Sequence, residues 1–208
     1  MRKRILAIVL CILLFASHTA YAAPVESGVD AYSWDSEPLQ VSMPQPKKLV
    51  GYLETEIGRA KTYYETYASM ANRNENMRLA TVAINGVVLQ PGEVFSYNQT
   101  VGPRTAARGF KTATIFVGGE KVQGYGGGIC QISSTLYMAT KKTGLKIVER
   151  HVHSLPVSYC SRDDEATVSW GYLDYRFKNT LDIPVRIEAS IGGGVCNISI
   201  IAMTPIYE

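Results

Sequence analysis

The chain is predicted to be an α+β protein, mainly antiparallel sheet built from hairpins, with a few helices, one of which carries a cysteine at its N-terminus. Three observations lead there. Two β-rich runs joined at Gly118-Gly119 read as a hairpin, "TATIFVGGEKVQG". The tail repeats the device, with "IPVRIEASI" and "VCNISIIAM" flanking Gly192, Gly193 and Gly194. Helical patterning is confined to a few short stretches, so hairpins dominate the layer architecture.

The elements follow in chain order. "MRKRILAIVLCILLFASHTAYAA" has a basic start, an apolar run from Ile5 to Phe15 and a small-residue site at Ala20-Tyr21-Ala22, the layout of a secretory signal over residues 1–22. The apolar run falls short of the roughly 20 residues a spanning helix needs, so no stable membrane span is expected after cleavage. Residues 23–46 hold four prolines and no sustained periodicity, as a flexible linker would. Residues 47–208 then suffice for one domain with a single core.

Within that domain, "LVGYLETEIGRAKTYYETYA" is ambiguous: Leu49, Tyr52, Leu53 and Ile57 suit a helix, whereas the Thr/Tyr-rich second half suits a strand. "NENMRLATVAING" predicts a helix capped by Asn74 and stopped by Asn85-Gly86. "EVFSYN" alternates as a short strand. In "GYGGGICQISSTLYMAT", Ile129, Ile132, Leu136 and Ala139 form one helical stripe, and Cys130 falls off it, with Ser134, Tyr137 and Lys141. Residues 145–153 read as a strand that places Glu149, His151 and His153 on one face. "EATVSWGYLDYRFKN" supplies further strand before the tail hairpin.

Charge excludes several functions. Removing residues 1–22 takes three of the 21 Lys and Arg and none of the Asp and Glu, leaving 18 basic against 18 acidic residues. A neutral mature chain without a basic cluster argues against nucleic-acid binding and against docking to anionic lipid.

Three of the four cysteines lie beyond the signal, an odd number for an oxidising compartment. A Cys160–Cys196 bridge would leave Cys130 over, though spacing alone does not fix the connectivity. The glycines before Cys130 lack the Lys-Ser/Thr of a phosphate loop and the βαβ setting of a dinucleotide loop. They would instead let backbone N–H groups converge near the thiol, lowering its pKa and offering an oxyanion site. A thiolate nucleophile needs a base, and the mature chain has two histidines, His151 and His153. Against this stand three plainer roles: Cys130 as a buried hydrophobe, the histidines as polar contacts, and a His-x-His zinc site. The zinc site lacks a second Cys or acid beside Cys130, so neither metal nor cofactor is expected.

"PGEVFSYNQTVGPRT" (91–105), "GGGICQISSTLY" (126–137), "ERHVHSLPVSY" (149–159) and "DYRFKN" (174–179) together resemble the motif series of the VanW-like family over roughly residues 55–202. The resemblance implies an exported or wall-associated bacterial protein acting on peptidoglycan stem peptides by an L,D-transpeptidase-type acyl transfer. The nucleophile then falls on Cys130 and the base on His153, with His151 in reserve and Asp174 orienting the histidine. Arg104 is expected to hold a stem carboxylate and Gln131 to donate to the oxyanion. Gly127, Gly128, Ser133 and Ser134 complete the substrate side. Where the family reads Gly-x-Asp-Ala-Thr-Val, this chain has "DDEATV", so Glu165 stands for the aspartate and the glycine is absent; Cys160 just before is also atypical. The competing functions are a non-catalytic wall-binding module and a stem-peptide hydrolase using the same Cys-His pair.

Overall fold

The computed structural model describes residues 45–208. The expected signal (1–22) and all but the last two residues of the linker (23–46) lie outside them. Twelve helices and strands follow in order: β1 (Leu49–Tyr63), α1 (Ala71–Ile84), β2 (Val88–Leu89), β3 (Val94–Ser96), α2 (Tyr97–Val101), β4 (Thr112–Val117), β5 (Glu120–Tyr125), α3 (Ile129–Thr140), β6 (Lys146–Glu149), β7 (Arg176–Lys178), β8 (Val185–Gly192) and β9 (Val195–Tyr207). They form three antiparallel sheets, ordered β1-β9-β8-β2, β3-β7-β6 and β4-β5. The predicted α+β class is the observed one.

The ambiguous first segment is a strand. Of the residues that suited a helix, Leu49, Tyr52 and Leu53 are exposed, Leu53 at 61%, and Ile57 is only partly buried, while Ala60 and Thr62, two apart, are buried on the face toward α3. Period two therefore governs the half that packs, and long-range pairing with β9 overrides the helical spacing. Gly58 marks the closest approach: a Cβ there would stand 2.4 Å from the Ala139 carbonyl oxygen and 2.6 Å from the Thr143 methyl. The C-terminal end of α3 thus rests directly on the β1 backbone.

Helix α1 begins three residues before the expected Asn74 cap and ends at Asn85-Gly86 as expected. Met77, Ala80, Thr81 and Ile84 form its buried stripe at helical spacing, and it packs on β8 and α3. In the second sheet Phe95 lies opposite Phe177 with ring centroids 5.1 Å apart, and Ile147 flanks Phe177 on the other side. Both predicted hairpins are present, turning at Gly118-Gly119 and at Gly193-Gly194.

Helix α3 is buried on nearly every side. Its predicted stripe of Ile129, Ile132, Leu136 and Ala139 is in the core, but so are Gln131, Ser133, Ser134, Thr135 and Thr140. The face carrying Cys130 is only partly open to water. It packs against the chain between β6 and β7, which is not strand beyond Glu149 except for a single bridge between Ser169 and Leu173. The expected strand over 145–153 is therefore cut short, and His151 and His153 lie on a loop.

Candidate active site

The glycine turn is where three elements come too close for side chains. A Cβ on Gly126 would lie 2.7 Å from the Arg104 Cγ, and one on Gly128 would lie 2.7 Å from the Arg73 Cγ. On Gly127 it would lie 2.5 Å from the Thr114 carbonyl oxygen in β4. Gly128 also has φ +103°, a conformation that disfavours a side chain. Asn76 of α1, fully buried, clamps the turn by donating to the carbonyls of Lys111 (2.9 Å) and Gly127 (3.0 Å) and accepting from the Lys111 amide (2.7 Å). The expected role of these glycines changes accordingly. The amides of Ile129 and Gln131 donate back to Gly126 and Gly128, and the backbone N–H that reaches the Cys130 sulfur comes from Val168, at 3.5 Å. The glycines admit two arginine stems to the start of α3.

The residues that face Cys130 come from the segment Glu165-Ala166-Thr167-Val168. Two serines of α3 fix it: Ser133 Oγ donates to the Ala166 carbonyl (2.5 Å), and Ser134 Oγ accepts from the Ala166 amide (2.9 Å). This registers Thr167 Oγ1 3.5 Å from Cys130 Sγ, with the Val168 amide beside it. It also buries the Glu165 carboxylate, which accepts from the His153 backbone N–H (2.7 Å) and stands 3.1 Å from His153 Nδ1. That contact assigns the imidazole proton to Nδ1. Nε2 meets the Tyr159 hydroxyl, 3.2 Å away. Phe116 of the β4–β5 hairpin meets the ring edge-on, centroids 6.1 Å apart.

Two opposing effects set the charge. Burial alone would push the Cys130 thiol up, but the adjacent His153, the Thr167 hydroxyl and the Val168 amide outweigh it, and the thiol titrates below its ordinary value. Burial likewise pulls His153 down, yet the neighbouring Cys130 and Glu165 outweigh it, and the imidazole titrates above its ordinary value. Each shift favours the charged form of its own group, thiolate on Cys130 and imidazolium on His153. Tyr159 is pushed up, chiefly by burial, and stays protonated; its hydroxyl oxygen accepts from Nε2–H when His153 is an imidazolium. Cys130, on the second residue of α3, also has the positive end of the helix dipole behind it.

An open cleft of about 1370 Å³ leads to this pair, walled by the β4–β5 hairpin, the 152–159 loop and the 167–173 loop. Arg73 and Arg104 line it. Arg104 lies between the rings of Tyr97 and Trp170, 5.8 and 5.9 Å from their centroids. Its Nη1 donates to the Gly102 carbonyl (2.8 Å), while Nε and Nη2 are buried without a partner. Arg73 gives Nη2 to the Gln131 side-chain oxygen (2.6 Å) and Nη1 to the Met77 sulfur (2.9 Å).

Several expected assignments change. Asp174 does not orient His153: its carboxylate accepts from Ser96 Oγ (2.5 Å), Asn98 N (2.8 Å) and Tyr175 N (2.8 Å), fixing the start of α2. Glu165 takes the orienting position. His151 pairs with Glu149 at 2.9 Å, away from the sulfur. Gln131 offers nothing to an oxyanion, because its amide donates to Thr62 Oγ1 (3.0 Å) and the Tyr63 carbonyl (2.9 Å) while its oxygen holds Arg73. Ser133 and Ser134 bind the 165–168 segment, so they build the site from behind. Cys160 and Cys196 are both free, which removes the argument that Cys130 is left over from a bridge. Among the described residues no cluster of His, Cys, Asp or Glu is arranged to hold a metal, and no helix is long and apolar enough to cross a membrane.

Arg73, Tyr159, Thr167 and the role of Glu165 were not foreseen. Arg73 leaves no local signal, sitting on an ordinary polar helix start. Glu165 carried one: it occupies the acidic position of the motif from which this chain departs.

Residues 72–201 match a family described as "VanW like protein". The chain is 41% identical over 172 residues to "Uncharacterized protein YoaR" of Bacillus subtilis (strain 168), covering 79% of this chain and 56% of that protein. It is 30% identical over 153 residues to "Vancomycin B-type resistance protein VanW" of Enterococcus faecalis (strain ATCC 700802 / V583), covering 70% of this chain and 56% of that protein. The chain thus spans little more than half the length of these curated relatives. No solved structure matches it. The matched region contains Cys130, His153, Glu165 and both cleft arginines, and on that match the chain belongs to the VanW-like family.

Proposed function

We propose that this domain is a cysteine acyltransferase of the L,D-transpeptidase type, acting on peptidoglycan stem peptides outside the cytoplasm. The observation that carries the proposal is the Cys130-His153-Glu165 constellation at the floor of an open cleft. Its relative's name links that protein to vancomycin resistance, and the basic-apolar leader of this chain fits export.

In the proposed reaction the Cys130 thiolate attacks the carbonyl carbon of the third stem residue. The bond to the terminal D-alanine nitrogen breaks, and His153, protonated on Nε2, gives that nitrogen its proton. Glu165 keeps the proton on Nδ1 and so keeps Nε2 facing the reacting atoms. An amine from a second stem then attacks the thioester, His153 takes its proton, and the sulfur leaves as thiolate. The Thr167 hydroxyl and Val168 amide stabilise that thiolate at both ends of the cycle. Arg104 presents its unpartnered Nε–Nη2 edge to a stem carboxylate. A tetrapeptide donor lacks D-Ala-D-Ala, which connects the chemistry to glycopeptide resistance.

Intact mass after incubation with a tetrapeptide stem tests this. The expected result is a thioester on Cys130 with loss of D-alanine, passed to an added amine acceptor. Loss of D-alanine with water as sole acceptor indicates a hydrolase, and binding with no adduct indicates a wall-binding module.

A further inference from the structure

Attack of the Cys130 sulfur on a carbonyl carbon forms a C–S bond and moves the carbonyl pair onto oxygen, and the anion that develops needs donors aimed at it. Most donors near the sulfur are already engaged. The amides of Ile129 and Gln131 donate to Gly126 and Gly128, and the Gln131 side chain donates to Thr62 and Tyr63. The Val168 amide and the Thr167 hydroxyl stand at the sulfur itself. The Cys130 amide, in the first turn of α3, has no acceptor among the described residues. It supplies one donor to an oxyanion and leaves a place for a second.

Tyr159 reaches that place from the loop after His153. Its hydroxyl is 3.2 Å from His153 Nε2, its ring meets the imidazole edge-on with centroids 6.2 Å apart, and it lines the cleft. Cys130 and the Tyr159 hydroxyl therefore lie against one imidazole. The charge on that ring decides where the phenol proton goes. Glu165 holds Nδ1, so an imidazolium gives Nε2–H to the Tyr159 oxygen, and Ser134 acts on the same oxygen as a donor. An oxygen that accepts from both leaves its own proton for the cleft. Burial keeps the phenol protonated wherever the thiolate forms, and accepting from a cation polarises its O–H into a stronger donor.

We infer that Tyr159 is a catalytic residue whose hydroxyl, together with the Cys130 amide, donates to the oxygen of the tetrahedral adduct on Cys130. No bond to the Tyr159 proton breaks. When the adduct collapses, the pair on oxygen re-forms the carbonyl and the bond to the leaving group breaks. The phenol proton then turns back to Nε2, which has given its own proton to the leaving nitrogen. This inference rests on the acyl-transfer function proposed above, and not on which acyl donor the cleft takes.

Tyr159→Phe keeps the ring and removes the donor, and two reagents separate the roles of the hydroxyl. Iodoacetamide alkylates a thiolate without forming an oxyanion. By contrast, p-nitrophenyl acetate acylates through an oxyanion and expels a phenolate that needs no proton. The Cys130 and His153 shifts come from each other and from Glu165, Thr167 and Val168, so the pH profile of Cys130 alkylation in Tyr159→Phe should overlay that of wild type. Acetylation of Cys130 by the ester should fall at least about tenfold, and thioester formation with the tetrapeptide stem about 100- to 1000-fold, the cost of one oxyanion donor. A displaced alkylation profile overturns the inference and makes Tyr159 a positioning residue for His153. An unchanged profile with a loss confined to the stem peptide overturns it too, making the hydroxyl a proton carrier to the leaving amine. Acetylation that depends on Tyr159, with no thioester from the stem, keeps this role and removes the stem-peptide function. Acylation of wild type by neither reagent overturns both.

Discussion

Cys130 and Cys196 are both thiols packed into the same domain, and their surroundings push them in opposite directions. Cys196 is fully buried in β9, and burial raises its thiol to about 11 against only weak relief from Thr135 and Thr62. Cys130 meets the same desolvation but has an imidazole, a hydroxyl and an amide within reach, and it is lowered. Cys160, half-buried near Glu165 and Asp164, is raised to about 11 like Cys196. Burial is therefore common to all three cysteines, and only Cys130 has neighbours that outweigh it by stabilising the charged form.

The largest expected effect removes the sulfur. Cys130→Ala should abolish acyl transfer while leaving the melting temperature within a few degrees of wild type, since the thiol is half-buried and its loss opens a small void. A severe loss of stability would return Cys130 to the role of a packing residue. Next comes the base: His153→Ala should lower turnover roughly 100- to 10,000-fold, the range of general acid–base catalysis. His151→Ala, whose ring only meets Glu149, should change turnover less than about threefold, an ordinary surface effect. Equal losses for the two histidines would break the assignment. Glu165→Gln sharpens it, because it keeps the shape of the side chain but weakens the hold on the Nδ1 proton; turnover should fall at least about tenfold, with the pH profile displaced.

A smaller effect separates the turn from the chemistry. Gly128→Ala should destabilise the domain by about 1 to 2 kcal/mol, the usual cost of a side chain in left-handed backbone, and more if the Arg73 stem cannot yield. Denaturant midpoints at unchanged slope would measure it. Since a Cβ there meets Arg73, this variant should weaken substrate binding more than it alters the Cys130 thiol.

Much of the fold was legible because its signals are local. Glycine pairs between β-rich runs marked both hairpins, and the α3 stripe followed from helical spacing. β1 was not legible, because its apolar residues at helical spacing are exposed apart from Ile57 and its partner β9 lies at the far end of the chain. Cys130 and His153, which the structure brings together, were legible as candidates for a related reason: one follows a glycine turn, and residues 23–208 hold only two histidines. Choosing the orienting carboxylate required knowing that β6 stops at Glu149, so that the chain folds back and brings Glu165 under His153. Gln131 and the two serines misled for one physical reason. Polar residues next to a cysteine suggest contacts with substrate, yet Gln131, Ser133 and Ser134 are themselves buried, and their polarity goes to holding Arg73 and the 165–168 segment.

The central claim, that the surroundings of Cys130 make its thiolate, is tested most directly by the rate of Cys130 alkylation with iodoacetamide across pH, site by site, by peptide mapping. The shifts set the sign: a lowered thiol beside a raised imidazole makes reactivity appear as pH rises through the lowered Cys130 value, below the ordinary thiol value of about 8.5. Cys160 and Cys196 should stay unreactive there, and in His153→Ala the Cys130 profile should move upward to the ordinary thiol range or beyond. A Cys130 profile centred at or above about 8.5 in the wild type, and unmoved by His153→Ala, would contradict the account.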